Sequence, residues 1–75
     1  MDKGGSMTLI INGQTKDVGA ENGSPTMAGL IGQFCKNKKN IMAELNGSIV
    51  SSAGWETTVL REGDQVELVA FVGGG

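Results

Sequence analysis

Residues Gly63–Gly75 read GDQVELVAFVGGG, and this stretch decides how the whole chain is interpreted. A strand-like run from Val66 to Val72, rich in valine, leads directly into three consecutive glycines. Valine and phenylalanine favour strands, whereas glycine is depleted from them. The stretch therefore predicts a last strand that leads into a tail without side chains.

The glycine tail should allow the end of the chain to enter narrow sites on a partner protein. Glycine has no Cβ, so its backbone can pass through a narrow channel close to a partner's backbone. A carboxylate is anionic and a poor electrophile, so it needs activation, most simply by ATP, before a nucleophile can take the acyl group. We expect the carboxylate of Gly75 to be the reactive group, with Gly73 and Gly74 threading it into a partner. A flexible tail or linker without chemistry is the alternative.

The last strand also predicts an interaction surface. Side chains alternate along a strand, so one face carries Val66, Leu68, Ala70 and Val72. Glu67 on the other face should meet solvent, and Val69 and Phe71 go with it; if the first strand is the neighbour, Ile10 joins them. Exposed apolar clusters often mark partner-binding sites. Alternatively, a loop or the tail covers Phe71.

Composition excludes several classes of function. The chain has 75 residues, which is one small domain, and a net charge of −2, which argues against a nucleic-acid partner. Its only basic cluster, Lys36, Lys38 and Lys39, falls where a helix should end and fits a solvated helix terminus. We expect no membrane segment and a cytoplasmic location, since there is no long apolar run or signal peptide. We also expect a monomer when the protein is free of its partners.

Histidine is absent and Cys35 is the only cysteine. No intrachain disulfide, His/Cys zinc site or Ser-His pair can therefore form. Cys35 fits a half-buried helix residue better than a nucleophile, because reactive thiols need an electropositive setting. We expect a protein that is not an enzyme and binds no metal or cofactor of its own.

The rest of the chain reads as a hairpin, a helix and further strands. We interpret residues 1–6 as a disordered leader, 7–72 as the folded domain and 73–75 as the flexible tail. Asn12-Gly13 is a strong hairpin signal between two strand-like runs. A second strand pair is predicted at residues 41–45 and 48–50, around Asn46-Gly47. Trp55 should pack at the edge of the hydrophobic core, beside a short 3₁₀ turn.

One helix is predicted after Pro25, with an apolar stripe formed by Met27, Leu30, Ile31 and Phe34. Ser24 followed by proline is a better fit to an N-cap than Thr26. Gly29 and Gly32 each weaken a helix by about 1 kcal/mol relative to alanine. They indicate either close packing against the sheet or low local stability.

A hairpin followed by a helix across a mixed sheet is the β-grasp arrangement of ubiquitin-like domains. The predicted fold is α+β, with about four to five strands and one main helix on one sheet face. The first and last strands should lie side by side in the middle of the sheet. The other face must then meet water or a partner.

From Met7 to Gly75 the chain resembles the bacterial sulfur-carrier proteins of thiamine biosynthesis (ThiS). The resemblance rests on MTLIING, LNGSIV, Trp55 and, most specifically, REGDQVEL followed closely by a terminal Gly-Gly. The small subunit of molybdopterin synthase (MoaD) shares the fold and the Gly-Gly, but the region of Asn46-Gly47 and Trp55 is more similar to the thiamine carrier. The third glycine, Gly73, and the six-residue leader depart from the family pattern.

The resemblance implies a mechanism and a set of partners. An E1-like adenylyltransferase (ThiF-type) would use ATP and magnesium to adenylate Gly75. Sulfur from a cysteine desulfurase would then give a C-terminal thiocarboxylate, which thiazole synthase (ThiG-type) would use to build the thiazole ring. Val69 and Phe71 match positions that the family uses against partners. A MoaD-like carrier and a non-reactive ubiquitin-like interaction module are the alternative functions.

Overall fold

The computed structural model describes residues 6–19, 25–35 and 40–70. Leu9 and the other buried residues, all apolar, form one core between a sheet and a helix. The elements in chain order are β1 (Ser6–Ile11), β2 (Gln14–Gly19), α1 (Met27–Phe34), β3 (Ile41–Leu45), β4 (Ser48–Val50), a 3₁₀ helix (Ser52–Gly54) and β5 (Gln65–Ala70).

The strands form a five-stranded mixed sheet in the order β2-β1-β5-β3-β4. β5 is parallel to β1 and antiparallel to β3, so the last described strand is hydrogen-bonded on both sides. The predicted pairing of the first and last strands is confirmed. Within the described residues α1 is the α-helix, and the predicted β-grasp architecture is confirmed.

Both predicted Asn-Gly turns are present. Asn12 and Gly13 have φ angles of 51° and 81°, and Asn46 and Gly47 have φ angles of 51° and 90°. Two successive residues with positive φ define the turn that matches the twist of an antiparallel pair. Asparagine and glycine are the residues that adopt this conformation at least cost.

The helix begins later than the Ser24-Pro25 signal predicts. Its N-cap is Thr26, whose Oγ1 accepts a hydrogen bond from the N–H of Gly29 at 3.2 Å; Ser24 lies outside the described residues. The cause is tertiary: Leu60 N–H donates to the carbonyl of Pro25 at 2.8 Å, and Thr26 forms an isolated antiparallel bridge with Val59. This contact holds Thr26 extended, so the helix starts at Met27.

The helix contributes Met27, Leu30 and Ile31 to the core, as the apolar stripe predicts, while Phe34 at its end is 39% exposed. Gly29 and Gly32 are both exposed, so close packing against the sheet does not explain them. No helix within residues 6–19, 25–35 or 40–70 is long and apolar enough to cross a bilayer.

Trp55 packs partly buried against the core, as predicted, and its Nε1 donates to the carbonyl of Val50 at 3.0 Å. The 3₁₀ helix lies just before Trp55, at Ser52–Gly54. The chain turns before β5, with Gly63 at a φ of 85°. The side chain of Asp64 closes this turn by accepting from the N–H of Arg61 at 2.8 Å.

Candidate functional site: the open sheet face and the end of β5

In the described part of the chain, α1 covers one face of the sheet and no helix covers the other, which we call the open face. The strand pairing and the burial of Leu9, Val18, Ala43 and Val66 fix which side chains point to α1. By alternation, the open face carries Ser6, Thr8, Ile10, Thr15, Asp17, Gly19, Met42, Glu44, Ile49, Gln65, Glu67 and Val69.

Three of the predicted partner-binding residues lie on this face. Glu67 and Val69 are exposed, with Val69 45% exposed, and Ile10 is half-buried. The register separates them, because Ile10 is opposite Gln65, at the start of β5. Val69 is four residues further along the strand, which corresponds to about 13 Å. Ile10 therefore shares the face with Val69 but does not lie beside it.

The neighbours of Val69 and Glu67 come instead from β3, which the sequence interpretation missed. Met42 pairs with Val69, and Glu44 pairs with Glu67. Ile49 of β4 pairs with Glu44 on its other side and is 66% exposed. The alternation in Ile41–Leu45 is a signal for the faces of β3, but the register that places Glu44 opposite Glu67 depends on tertiary pairing.

The end of β5 is held by a side chain of the first turn. Backbone pairing between β1 and β5 covers Ile10 with Gln65 and Ile11 with Val66. Beyond it, Asn12 Oδ1 accepts from the N–H of Leu68 at 2.8 Å, and Asn12 Nδ2 donates to the carbonyl of Leu68 at 3.3 Å. The asparagine amide thus replaces the backbone partner that β1 no longer supplies.

The start of β5 is held in a similar way from the second turn. Asn46 Oδ1 accepts from the N–H of Gln65 at 2.9 Å, and its Nδ2 donates to Asp64 Oδ1 at 3.1 Å. Each Asn-Gly turn therefore fastens one end of β5. Together they fix the position of β5 in the sheet.

A cavity of about 230 Å³ lies beside the end of β5 and is lined by Ile11, Asn12, Gln14, Lys16, Phe34, Cys35, Leu68 and Ala70. Cys35 is the C-cap residue of α1 and is half-buried, as predicted. In the described part of the chain, no group of three or more His, Cys, Asp or Glu side chains could hold a metal ion.

Other predicted site residues lie outside the described residues. These are the reactive Gly75, the threading glycines Gly73 and Gly74, and Phe71 of the partner-binding set. The structure describes β5, which precedes these residues in the chain, and the open face of the sheet.

A mixed sheet with its first and last strands parallel at the centre, covered by α1 on one face, defines a ubiquitin-like β-grasp domain. Two solved structures of a thiamine biosynthesis protein (ThiS) from Geobacter metallireducens have this fold and are each 28% identical to the chain. The crystal structure gives a TM-score of 0.76, covering 92% of this chain and 100% of that one. The solution structure gives 0.75, covering 92% and 88%.

The family model of the ThiS family matches residues 9–75. The chain belongs to the ThiS family of small sulfur carriers. The predicted membership is confirmed, and the thiamine carrier is favoured over the molybdopterin-synthase subunit.

The chain is also similar to part of two larger proteins. It is 33% identical over 69 residues to a thiazole synthase of Paramagnetospirillum magneticum. It is 35% identical over 69 residues to a thiazole synthase of Magnetococcus marinus. Each match covers 92% of this chain, which spans about a fifth (20%) of the length of those relatives.

Proposed function

We propose that the chain carries sulfur as a thiocarboxylate on Gly75 and donates it to thiazole formation in thiamine biosynthesis. The observation that supports this most directly is the family match, which runs through the glycine tail to residue 75. The hydrogen bonds of Asn12 to Leu68 add a structural reason, because they anchor the strand that presents the tail.

The first step is activation of the carboxylate. A carboxylate oxygen of Gly75 attacks the α-phosphorus of ATP, pyrophosphate leaves, and the product is an acyl-adenylate. ATP and its magnesium are bound by the E1-like adenylyltransferase, since Mg²⁺ is commonly held by phosphates and partner carboxylates. The carrier contributes the narrow glycine tail that can enter such a site.

The second step replaces the adenylate by sulfur. A persulfide anion, generated through a cysteine desulfurase, attacks the acyl carbon and AMP leaves, giving an acyl disulfide. A thiol then attacks the sulfur that is not bound to the acyl group, releasing the thiocarboxylate and a new disulfide. That thiol supplies the two electrons, so the carrier itself needs no redox group. Thiazole synthase then takes the sulfur from the thiocarboxylate.

We also propose that the open face, with Ile10, Glu67, Val69 and Phe71, contacts these partners. The exposure of Val69 supports this assignment. Exposed apolar side chains often mark interaction sites, because a bound partner removes them from water. The two thiazole synthases that contain a similar region support thiazole synthase as one partner.

The decisive experiment is mass spectrometry of the C-terminal peptide after incubation with ATP, the adenylyltransferase and a sulfur source. Cleavage after Arg61 releases residues 62–75, which contain neither methionine nor cysteine. Replacement of oxygen by sulfur in this peptide cannot be confused with methionine oxidation, which gives nearly the same mass change. We expect the modification only when ATP is present. An unmodified peptide with competent partner enzymes would instead assign a non-reactive interaction module.

A further inference from the structure

The open face has acidic residues and no basic ones. Its described strand positions include Asp17, Glu44 and Glu67 but neither lysine nor arginine. Of the basic residues in the described part of the chain, Lys16 lines the cavity on the helix side and Arg61 lies in the turn before β5. The open face is therefore negative, although the whole chain carries a net charge of only −2.

Two of these carboxylates are paired with each other across the strands. Glu44 and Glu67 are direct register partners on β3 and β5, so their Cβ atoms lie roughly 5 Å apart. Like charges directly opposite each other destabilise a sheet. The pair therefore has an electrostatic cost in the free protein that a cation between the two carboxylates would remove.

Apolar side chains flank the pair on two sides. Met42 and Val69 form the next rung of the sheet in the direction of the chain end, and Ile49 lies beside Glu44 on β4. Val69 and Ile49 are 45% and 66% exposed. A partner that covered these side chains would exclude water from two sides of the pair, and the interaction of a cation with the carboxylates would be strengthened.

We propose that Glu44 and Glu67 together bind an arginine side chain of the adenylating partner, with apolar partner residues covering Met42, Val69 and Ile49. The inference rests on the proposed function and adds the chemistry of its docking surface. Arginine fits because its planar guanidinium donates five hydrogen bonds in a fork that can serve two carboxylates at once. A second copy of the chain does not fit face to face, because it would bring carboxylates against carboxylates, and nucleic acid or an anionic lipid surface would be repelled.

The test compares two double variants with the same change in formal charge. E44Q/E67Q removes both charges of the pair and keeps its size and shape. E56Q/E62Q removes two charges from exposed turns outside the open face. The KM and kcat of Gly75 adenylation are measured with the adenylyltransferase for both variants and the wild type, at low and at high salt.

We expect E44Q/E67Q to raise KM at least tenfold with little change in kcat, equivalent to about 1.4 kcal/mol of binding free energy. E56Q/E62Q should stay within about twofold of the wild type. The wild-type KM should rise with salt, because screening weakens the contact, and the KM of E44Q/E67Q should respond much less.

Three results would overturn the proposal in distinguishable ways. If the wild type is not adenylated at all, the proposed function fails and this inference fails with it. If adenylation proceeds but both double variants have the same KM, only the inference fails. If the wild type self-associates and E44Q/E67Q does not, the face binds a second copy instead of an arginine of the partner.

Discussion

The two glycines Gly29 and Gly63 show how one residue type has opposite effects at different positions. Gly29 is exposed in α1, and a Cβ there would meet Thr26 Oγ1 at 3.5 Å, an ordinary contact distance. Gly63 has a φ of +85° and open space around it. Alanine is favoured over glycine in a helix, whereas a positive φ is costly for any residue with a Cβ.

We therefore predict that Gly29→Ala stabilises the protein by about 0.5–1 kcal/mol, while Gly63→Ala destabilises it by about 1–2 kcal/mol. Chemical denaturation of both variants measures the two effects, and each serves as the control for the other. If both substitutions changed the stability in the same direction, local backbone conformation would not be what determines the effect of alanine at these two positions.

The cap at Thr26 is a second single-residue prediction. Removing its hydroxyl leaves the N–H of Gly29 without the hydrogen bond it now makes to Oγ1. Thr26→Ala should therefore lower the free energy of unfolding by about 1 kcal/mol, whereas Thr26→Ser, which keeps the oxygen, should lower it less. Urea denaturation distinguishes the two variants, and identical losses would argue against the cap.

At the tail, the prediction concerns activity and not stability. Deleting Gly75 makes Gly74 the last residue and draws the terminal carboxylate back by about 3.5 Å of chain. Gly74→Phe gives the threading segment a side chain that a narrow channel would exclude. Both variants should lose ATP-dependent adenylation and keep the wild-type melting temperature. Normal adenylation of either would contradict the assignment of the tail.

At the scale of the elements, the two Asn-Gly turns do more than reverse the chain. Each asparagine adopts the positive φ of the turn and uses its amide to hold one end of β5. Replacing either asparagine by glycine keeps the turn conformation and removes the side-chain amide. The two turns therefore offer matched variants for opposite ends of one strand.

We predict that Asn12→Gly increases amide hydrogen exchange at Leu68 and that Asn46→Gly increases it at Gln65. Each variant should lose about 1–2 kcal/mol of stability, the usual contribution of such hydrogen bonds. Exchange followed by NMR gives both sites in one experiment. If exchange at Leu68 is unchanged in Asn12→Gly, the Asn12 amide does not hold the end of the strand.

The sequence was sufficient to predict most of these elements. Asn-Gly pairs and alternation located both hairpins and the two faces of β5, because these signals are local. The predicted helix start at Ser24-Pro25 was wrong. Backbone hydrogen bonds with residues 58–60 hold Thr26 extended, and the helix therefore begins at Met27. The partners of Glu67 and Val69 were missed for a similar reason: the register between β3 and β5 is set by tertiary packing.

At the scale of the whole molecule, neighbouring residues of β5 belong to different surfaces. Val69 lies on the open face, and Leu68 packs against the core from the other side. We predict that Val69→Asp weakens binding of the adenylyltransferase about tenfold or more, as loss of a central contact does, and changes the melting temperature little. Leu68→Asp should instead unfold the domain.

Phe71→Asp should behave like Val69→Asp, with a greater loss of partner binding than of stability. The measurements are a binding titration and a thermal melt of each variant. A large drop in the melting temperature of Phe71→Asp would place Phe71 in the core.

The central position of β5 has a consequence for how the protein is made. The β1–β2 pair and the β3–β4 pair have no ladder with each other, and each is joined to the sheet through β5. During synthesis on the ribosome β5 emerges after the other four strands, so two strand edges stay unpaired until it arrives. Such edges are templates for aggregation, and a nascent chain of this architecture should depend on chaperones until its last strand is inserted.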